Sequence, residues 1–132
     1  MFRIVYVSTP IAPFSEKDLR DLLSVARSKN EANRVTGMLI YSGGHFLQAL
    51  EGEPADVIGT FERISLDPRH TNISTLHRGI FADQWFANWC MGFHSEQRAD
   101  GNVSVSDRIR LRALDEMSAL DLLKSCSKSQ TL

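Results

Sequence analysis

Residues 35–52 read VTGMLIYSGGHFLQALEG, two apolar runs on either side of Gly43-Gly44. Adjacent glycines between such runs supply the positive backbone torsions of a tight hairpin. The pattern predicts a strand over residues 35–42 and its partner over residues 45–51. No other segment constrains the fold as strongly. The hairpin places antiparallel pairing near the middle of the chain and decides which side chains share a face. Phe46, Gln48 and Leu50 then point one way.

Residues 2–8, FRIVYVS, form a second β-rich run. Alternation sets Phe2, Ile4, Tyr6 and Ser8 on one face and Val5 and Val7 on the other. Both faces are largely apolar, so this strand is expected to be central and covered on both sides. Ser15 followed by Glu16, Lys17 and Asp18 starts a helix, with a capping hydroxyl and early acids that suit the positive end of the dipole. Leu19, Leu22, Leu23 and Ala26 recur at helical spacing, and the helix is expected to end near Asn30. A second helix starts at Pro54, carries Val57, Ile58, Phe61 and Ile64 as its apolar stripe, and stops around Asp67-Pro68. A weaker strand is predicted over residues 73–79, and a last one within residues 85–93 that sets Trp89, Met91 and Phe93 on one face. After a polar linker, Ser106-Asp107 introduce a predicted helix running to about Lys124 with Leu111, Leu114, Met117, Leu120 and Leu123 as its apolar positions.

The order is βαββαββ, then α. Right-handed crossovers force the first two helices onto one face of the sheet. The fold class is therefore α+β, a ferredoxin-like sandwich with a C-terminal helical tail. The division is residues 1–95 for the sandwich and 96–132 for linker and tail. The tail helix is too short to stand alone in water. It is expected to cap the open sheet face or to pack on another subunit.

The 132 residues suit one domain. A net charge of −1 gives no reason to expect nucleic acid. There is no signal peptide pattern and no apolar run of membrane-spanning length, so a cytoplasmic protein is expected. Cys90 and Cys126 lack metal-ligand spacing and read as reduced, buried thiols. No metal site is expected.

Several residues sit oddly in this scaffold. Gln48 shares a core-facing side with Phe46 and Leu50, and Tyr6 shares one with Ile4. A buried amide or phenol must find a partner, and these two could simply bond each other. Asn30 could be a helix cap, Arg63 and Asp67 a surface pair one turn apart, Arg69-His70 loop decoration, and Trp89 and Met91 plain core. As a set they describe something else. Tyr6, Asn30 and Gln48 offer a phenol and two amides, which match a ring edge of alternating carbonyl and N–H groups. Leu22 and Ile64 can grip a flat ring between two helices. Arg63, Arg69 and His70 can meet a phosphate tail. That set describes a flavin lying between two helices.

The segments RIVYVS, SKNEANRVTGMLIYSGGHFLQALEGE, DPRHTNI and FANWCMGF resemble the BLUF family of blue-light photoreceptor domains over residues 2–93. The resemblance implies noncovalent FAD or FMN in the groove between the two helices. It implies that Tyr6 is the photoactive tyrosine, Gln48 the switching glutamine, and Trp89 and Met91 the residues that carry the signal outward. Leu22, Lys29, Asn30, Gln48, Arg63, Ile64, Asp67, Arg69 and His70 become the cofactor-binding set. Many relatives continue into a cyclase or phosphodiesterase domain. The tail here is too short for one, so the resemblance is to the short, stand-alone BLUF type, with no catalysis of its own. Its output would then pass to a downstream signalling protein, and a homo-oligomer is expected. Three other readings fit the same fold: a phosphohydrolase of the acylphosphatase kind, a flavin redox enzyme, and a flavin-free protein-interaction module.

Overall fold

The computed structural model describes residues 1–86, 92–95 and 111–129. Strand β1 (Phe2–Pro10) is followed by helix α1 (Glu16–Ala32), the hairpin β2 (Thr36–Ser42) and β3 (His45–Gly52), helix α2 (Pro54–Ser65), and strands β4 (His70–Ile80) and β5 (Gly92–Ser95). A short 3-10 turn (Leu111–Ala113) precedes helix α3 (Glu116–Ser129). The sheet order is β4-β1-β3-β2-β5. The first four strands are antiparallel neighbours, and β5 runs parallel to β2 at the edge. This is the ferredoxin-like α+β sandwich with one added strand. β1 is interior, as its two apolar faces require, and β3 holds the middle of the sheet.

Local chemistry explains the framework. Gly43 and Gly44 have φ of 58° and 80°, the positive pair that a type I′ hairpin needs. Ser15 caps α1 by accepting from the Asp18 N–H at 3.1 Å, and Asp18 returns a bond to the Ser15 N–H at 3.0 Å. At the other end α1 runs past Asn30 to Ala32, and the cap is Asn33. Arg34 then turns left-handed with φ of 58°, and the Val35 N–H donates back to the Asn30 carbonyl at 2.9 Å. This Schellman closure leaves the Asn30 side chain inside the helix and buried.

The two sheet faces hold separate cores. Ile4, Tyr6, Leu39, Phe46 and Leu50 pack with Leu19 and Leu23 of α1 and Val57 of α2. On the other face Val5, Val7, Met38, Ile40, Leu47 and Ala49 pack with Phe86, Leu111, Ala119, Leu123 and Cys126. Helix α3 thus covers the face opposite α1 and α2. Cys126 is a buried free thiol; Cys90 lies outside the described residues.

Other predicted boundaries need correction. The fourth strand is longer than expected because β4 pairs with β1 from His70 to Ile80. Trp85 and Phe86 are not in a strand; their backbone N–H groups donate to the Glu51 carboxylate instead of a ladder. The strand that follows is Gly92–Ser95, and Trp89 and Met91 lie outside the described residues. The C-terminal helix is not continuous from residue 106. Residues 106–110 lie outside the described set, and α3 begins only at Glu116. Asp115 sets that start by accepting the Ser118 N–H at 2.8 Å. Among the described residues no helix is long and apolar enough to cross a membrane.

Candidate functional site

A cavity of about 150 Å³, open to solvent on one side, lies between the sheet, α1 and α2. Its walls follow from the helical and strand periods. Leu22, Val25, Ala26, Lys29 and Asn30 form one stripe of α1 at spacings of three and four. Thr60, Arg63 and Ile64 do the same on α2. Tyr6, Ser8, Leu39, Phe46 and Gln48 form the floor from β1, β2 and β3. Asp67, Arg69 and His70 close the rim where α2 passes into β4.

Tyr6 and Gln48 stand directly opposite each other in the β1–β3 ladder. Their exposures are 2% and 7%, and the Tyr6 hydroxyl donates to Gln48 Oε1. The Phe61 ring packs edge-on against Tyr6 at 5.2 Å between centroids. Burial, with the Asp67 charge adding to it, pushes the Tyr6 phenol far above its ordinary range. The hydroxyl therefore keeps its proton across physiological pH. Asn30, 4% exposed, brings a second buried amide to the same cavity.

The rim is charged and ordered. Arg69 Nη2 donates to Asp67 Oδ2 at 2.6 Å, and the Arg69 N–H donates to Asp67 Oδ1 at 2.9 Å. These bonds lower the Asp67 carboxyl to about 2. His70 Nε2 contacts the Ile64 carbonyl at 2.7 Å, and Arg63 donates to Thr60 Oγ1 at 3.1 Å. A group with a depressed carboxyl pKa contributes stability above its unfolded value and loses it as pH falls through the folded one. The Asp67–Arg69 clasp is therefore complete above roughly pH 4 and opens as pH falls through about 2. Arg69→Ala should return Asp67 toward the ordinary 3.8, read from the carboxyl carbon shift in an NMR titration. A midpoint that stays near 2 would assign the shift to other groups.

The cavity brings together Tyr6, Leu22, Lys29, Asn30, Gln48, Arg63, Ile64, Asp67, Arg69 and His70, all expected from the sequence. It adds Ser8, Phe14, Val25, Ala26, Leu39, Phe46 and Thr60, which the sequence alone did not mark as site residues. Val25, Ala26 and Thr60 were within reach, being one turn from named residues on the same helix faces. Phe14 was not, because it precedes α1 in a loop. The donor set fits a flavin: two buried amides and a phenol for the ring edge, apolar walls for its faces, and Lys29, Arg63 and Arg69 among the lining residues for an anionic tail. Among the described residues no group of His, Cys, Asp and Glu is arranged to hold a metal ion.

A family model described as "BLUF: Sensors of blue-light using FAD" matches residues 1–92. Among curated proteins, the photoactivated adenylate cyclase subunit beta of Euglena gracilis is 32% identical over 87 residues, covering 62% of this chain and 10% of that protein. The blue light- and temperature-regulated antirepressor BluF of Escherichia coli is 40% identical over 60 residues, covering 46% of this chain and 15% of that protein. Of solved structures, BlsA in its ground state superposes with a TM-score of 0.80 at 28% identity, covering 99% of this chain and 91% of that one. BlrB, a BLUF protein in its dark state, gives 0.69 at 26% identity, covering 98% and 89%. The chain spans about a tenth of the cyclase's length.

Proposed function

Because the chain belongs to the BLUF family, sensors of blue light that use FAD, we propose that it is a photoreceptor module whose switch is the Tyr6–Gln48 pair and whose signal leaves through its C-terminal part to a partner protein. The observation that carries this reading is the direct opposition of a buried phenol and a buried amide on the floor of the cavity.

Asn30 and Gln48 would hold the ring edge, Leu22 and Ile64 its faces, and Lys29, Arg63, Arg69 and His70 the tail, with Asp67 keeping Arg69 in place. Bound flavin supplies blue absorption and, when excited, a strong electron acceptor. Tyr6 is the donor of choice, because it is the phenol in the cavity and its proton has a ready acceptor in Gln48. The Gln48 amide has a donor end and an acceptor end of nearly equal size. Rotating or tautomerising it exchanges hydrogen-bond partners at almost constant volume. A buried group with two satisfied arrangements is a local switch, and an output needs a second element that it biases. The segment with Trp89 and Met91, leading into β5, is the proposed receiver. The module itself is a sensor.

The test is a visible spectrum of the purified protein before and after blue light. A yellow protein is expected, with a small red shift that appears without bleaching and reverses in darkness. Acid should release the flavin intact. A flavin redox enzyme would bleach on reduction and would need a substrate to cycle. A colourless protein that takes up neither FAD nor FMN would sink the reading.

A further inference from the structure

The Tyr6–Gln48 rung has a counterpart three residues along the same two strands. Arg3 on β1 lies directly opposite Glu51 on β3. The odd spacing puts the two rungs on opposite faces of the sheet. Tyr6 and Gln48 face the cavity; Arg3 and Glu51 face the side that α3 covers. Both charged side chains are buried, at 4% and 0% exposure. Arg3 Nε donates to Glu51 Oε2 at 2.8 Å, and Arg3 Nη2 donates to the same oxygen.

An ion pair this buried is a poor source of stability, since losing the hydration of two charges offsets their attraction. Its effect is on geometry. Arg3 Nη2 also donates to the Asp83 carbonyl at 2.8 Å. The guanidinium lies 3.7 Å from the Trp85 ring centroid and 4.2 Å from that of Phe81. Glu51 Oε1 accepts the N–H groups of Phe86 at 2.9 Å and Trp85 at 3.1 Å. The pair thus grips the connection that leaves β4. Phe86 is buried in the same core as Leu111, Ala119 and Leu123.

The ladders of β1 differ on its two sides. Pairing with β3 is continuous from Phe2 to Ser8, whereas pairing with β4 slips between Val5 and Tyr6 and again between Val7 and Thr9. The regular ladder couples Tyr6 more directly to β3 than to β4. We propose that Arg3 and Glu51 are positioning residues for the switch. Glu51, oriented by Arg3, turns a rearrangement of the Tyr6–Gln48 rung into a shift of the Trp85–Phe86 backbone, and so of the core beneath α3. This rests on the photoswitch reading above.

The test uses the full chain loaded with FAD and two readouts on one sample. The red shift reports the Tyr6–Gln48 rung. Lit-minus-dark amide hydrogen exchange over residues 81–86 and 116–126 reports the connection and α3. Glu51→Gln keeps the size and an acceptor but removes the charge that holds Arg3. It should keep the red shift while the light-dependent exchange difference falls about threefold or more. Arg3→Lys keeps the charge but loses the planar fork, and should fall between the unchanged protein and Glu51→Gln. An undiminished exchange difference in Glu51→Gln overturns the proposal, as does a red shift in the unchanged protein with no exchange difference over residues 81–86. Where Glu51→Gln fails to fold, Arg3→Lys decides. If both variants lose flavin in the dark, the pair is structural only and the proposal falls. Absence of any red shift in the unchanged protein sinks the photoswitch reading itself, and the first readout tells that failure apart.

Discussion

Tyr6→Phe is expected to give a yellow protein that no longer makes the normal red shift, and Gln48→Ala is expected to do the same by a different route. In Tyr6→Phe the ring keeps its place against Phe61, so the cavity keeps its shape. Only the hydroxyl goes, and with it the donor to Gln48 Oε1. Gln48 Oε1 then loses this one buried donor, which costs about 1–3 kcal/mol. The protein should fold with a lowered midpoint while the photochemical donor is missing. In Gln48→Ala the phenol remains but its acceptor is gone. Leu47 and Ala49, on the other face of β3, still pack beneath α3, so the hairpin persists. The measurements are the lit-minus-dark spectrum and the flavin-to-protein ratio. Flavin should stay bound in both variants, because Leu22, Asn30, Arg63 and Ile64 are untouched. A full normal shift in either variant would overturn the assigned roles.

The cavity was legible because its residues violate the ordinary burial of their types. Gln48 between Phe46 and Leu50, and Tyr6 beside Ile4, each call for a hydrogen-bond partner, and each is the other's. Period-two alternation then fixed the face on which they meet, and the ladder places them on one rung. Helix ends were harder to read. Asn30 looked like a cap because asparagine tolerates the left-handed region, yet the left-handed residue is Arg34, and the cap is Asn33. The choice rests on the Val35 N–H reaching back to Asn30, a contact between backbone atoms that no residue type advertises. The Arg3–Glu51 pair was hidden for a related reason. Each charge sits at the margin of an apolar run, where exposure is the ordinary expectation, and only the β1–β3 register brings them together. The tail misled in another way. Its leucines keep near-helical spacing from Leu111 onward, but Asp115 caps a new start and leaves Leu111 in a 3-10 turn. A local hydrogen bond overrode the periodicity.

Leu123→Ala is expected to cost about 2–4 kcal/mol and to lower the melting midpoint by roughly 10 °C. Leu123 is wholly buried and packs in the core that holds Val5, Val7, Met38, Ile40 and Leu47 beneath α3. Polar contacts also tie the C-terminal part to the sheet. Arg112 donates to Thr9 Oγ1 at 3.0 Å and to the Asn72 carbonyl, and His77 Nδ1 meets Glu116 Oε1 at 2.7 Å. The Glu116 side chain is 56% exposed, and exposed ion pairs contribute about 0–1 kcal/mol. Apolar burial therefore holds α3 in place more than this half-exposed His77–Glu116 contact does, and Glu116→Gln should shift the midpoint far less than Leu123→Ala. Ending the chain after Ser95 removes Leu111, Ala119, Leu123 and Cys126 from this core and uncovers much of the apolar face of Val5, Val7, Met38, Ile40 and Leu47, with Phe86 left on it. A patch of that kind drives association. The truncated protein should keep flavin and its red shift, since the cavity lies on the other face, while light scattering shows concentration-dependent oligomers. If it instead stays monomeric, and Leu123→Ala melts like the unchanged protein, α3 does not secure the sheet and its docking is free to change with little cost.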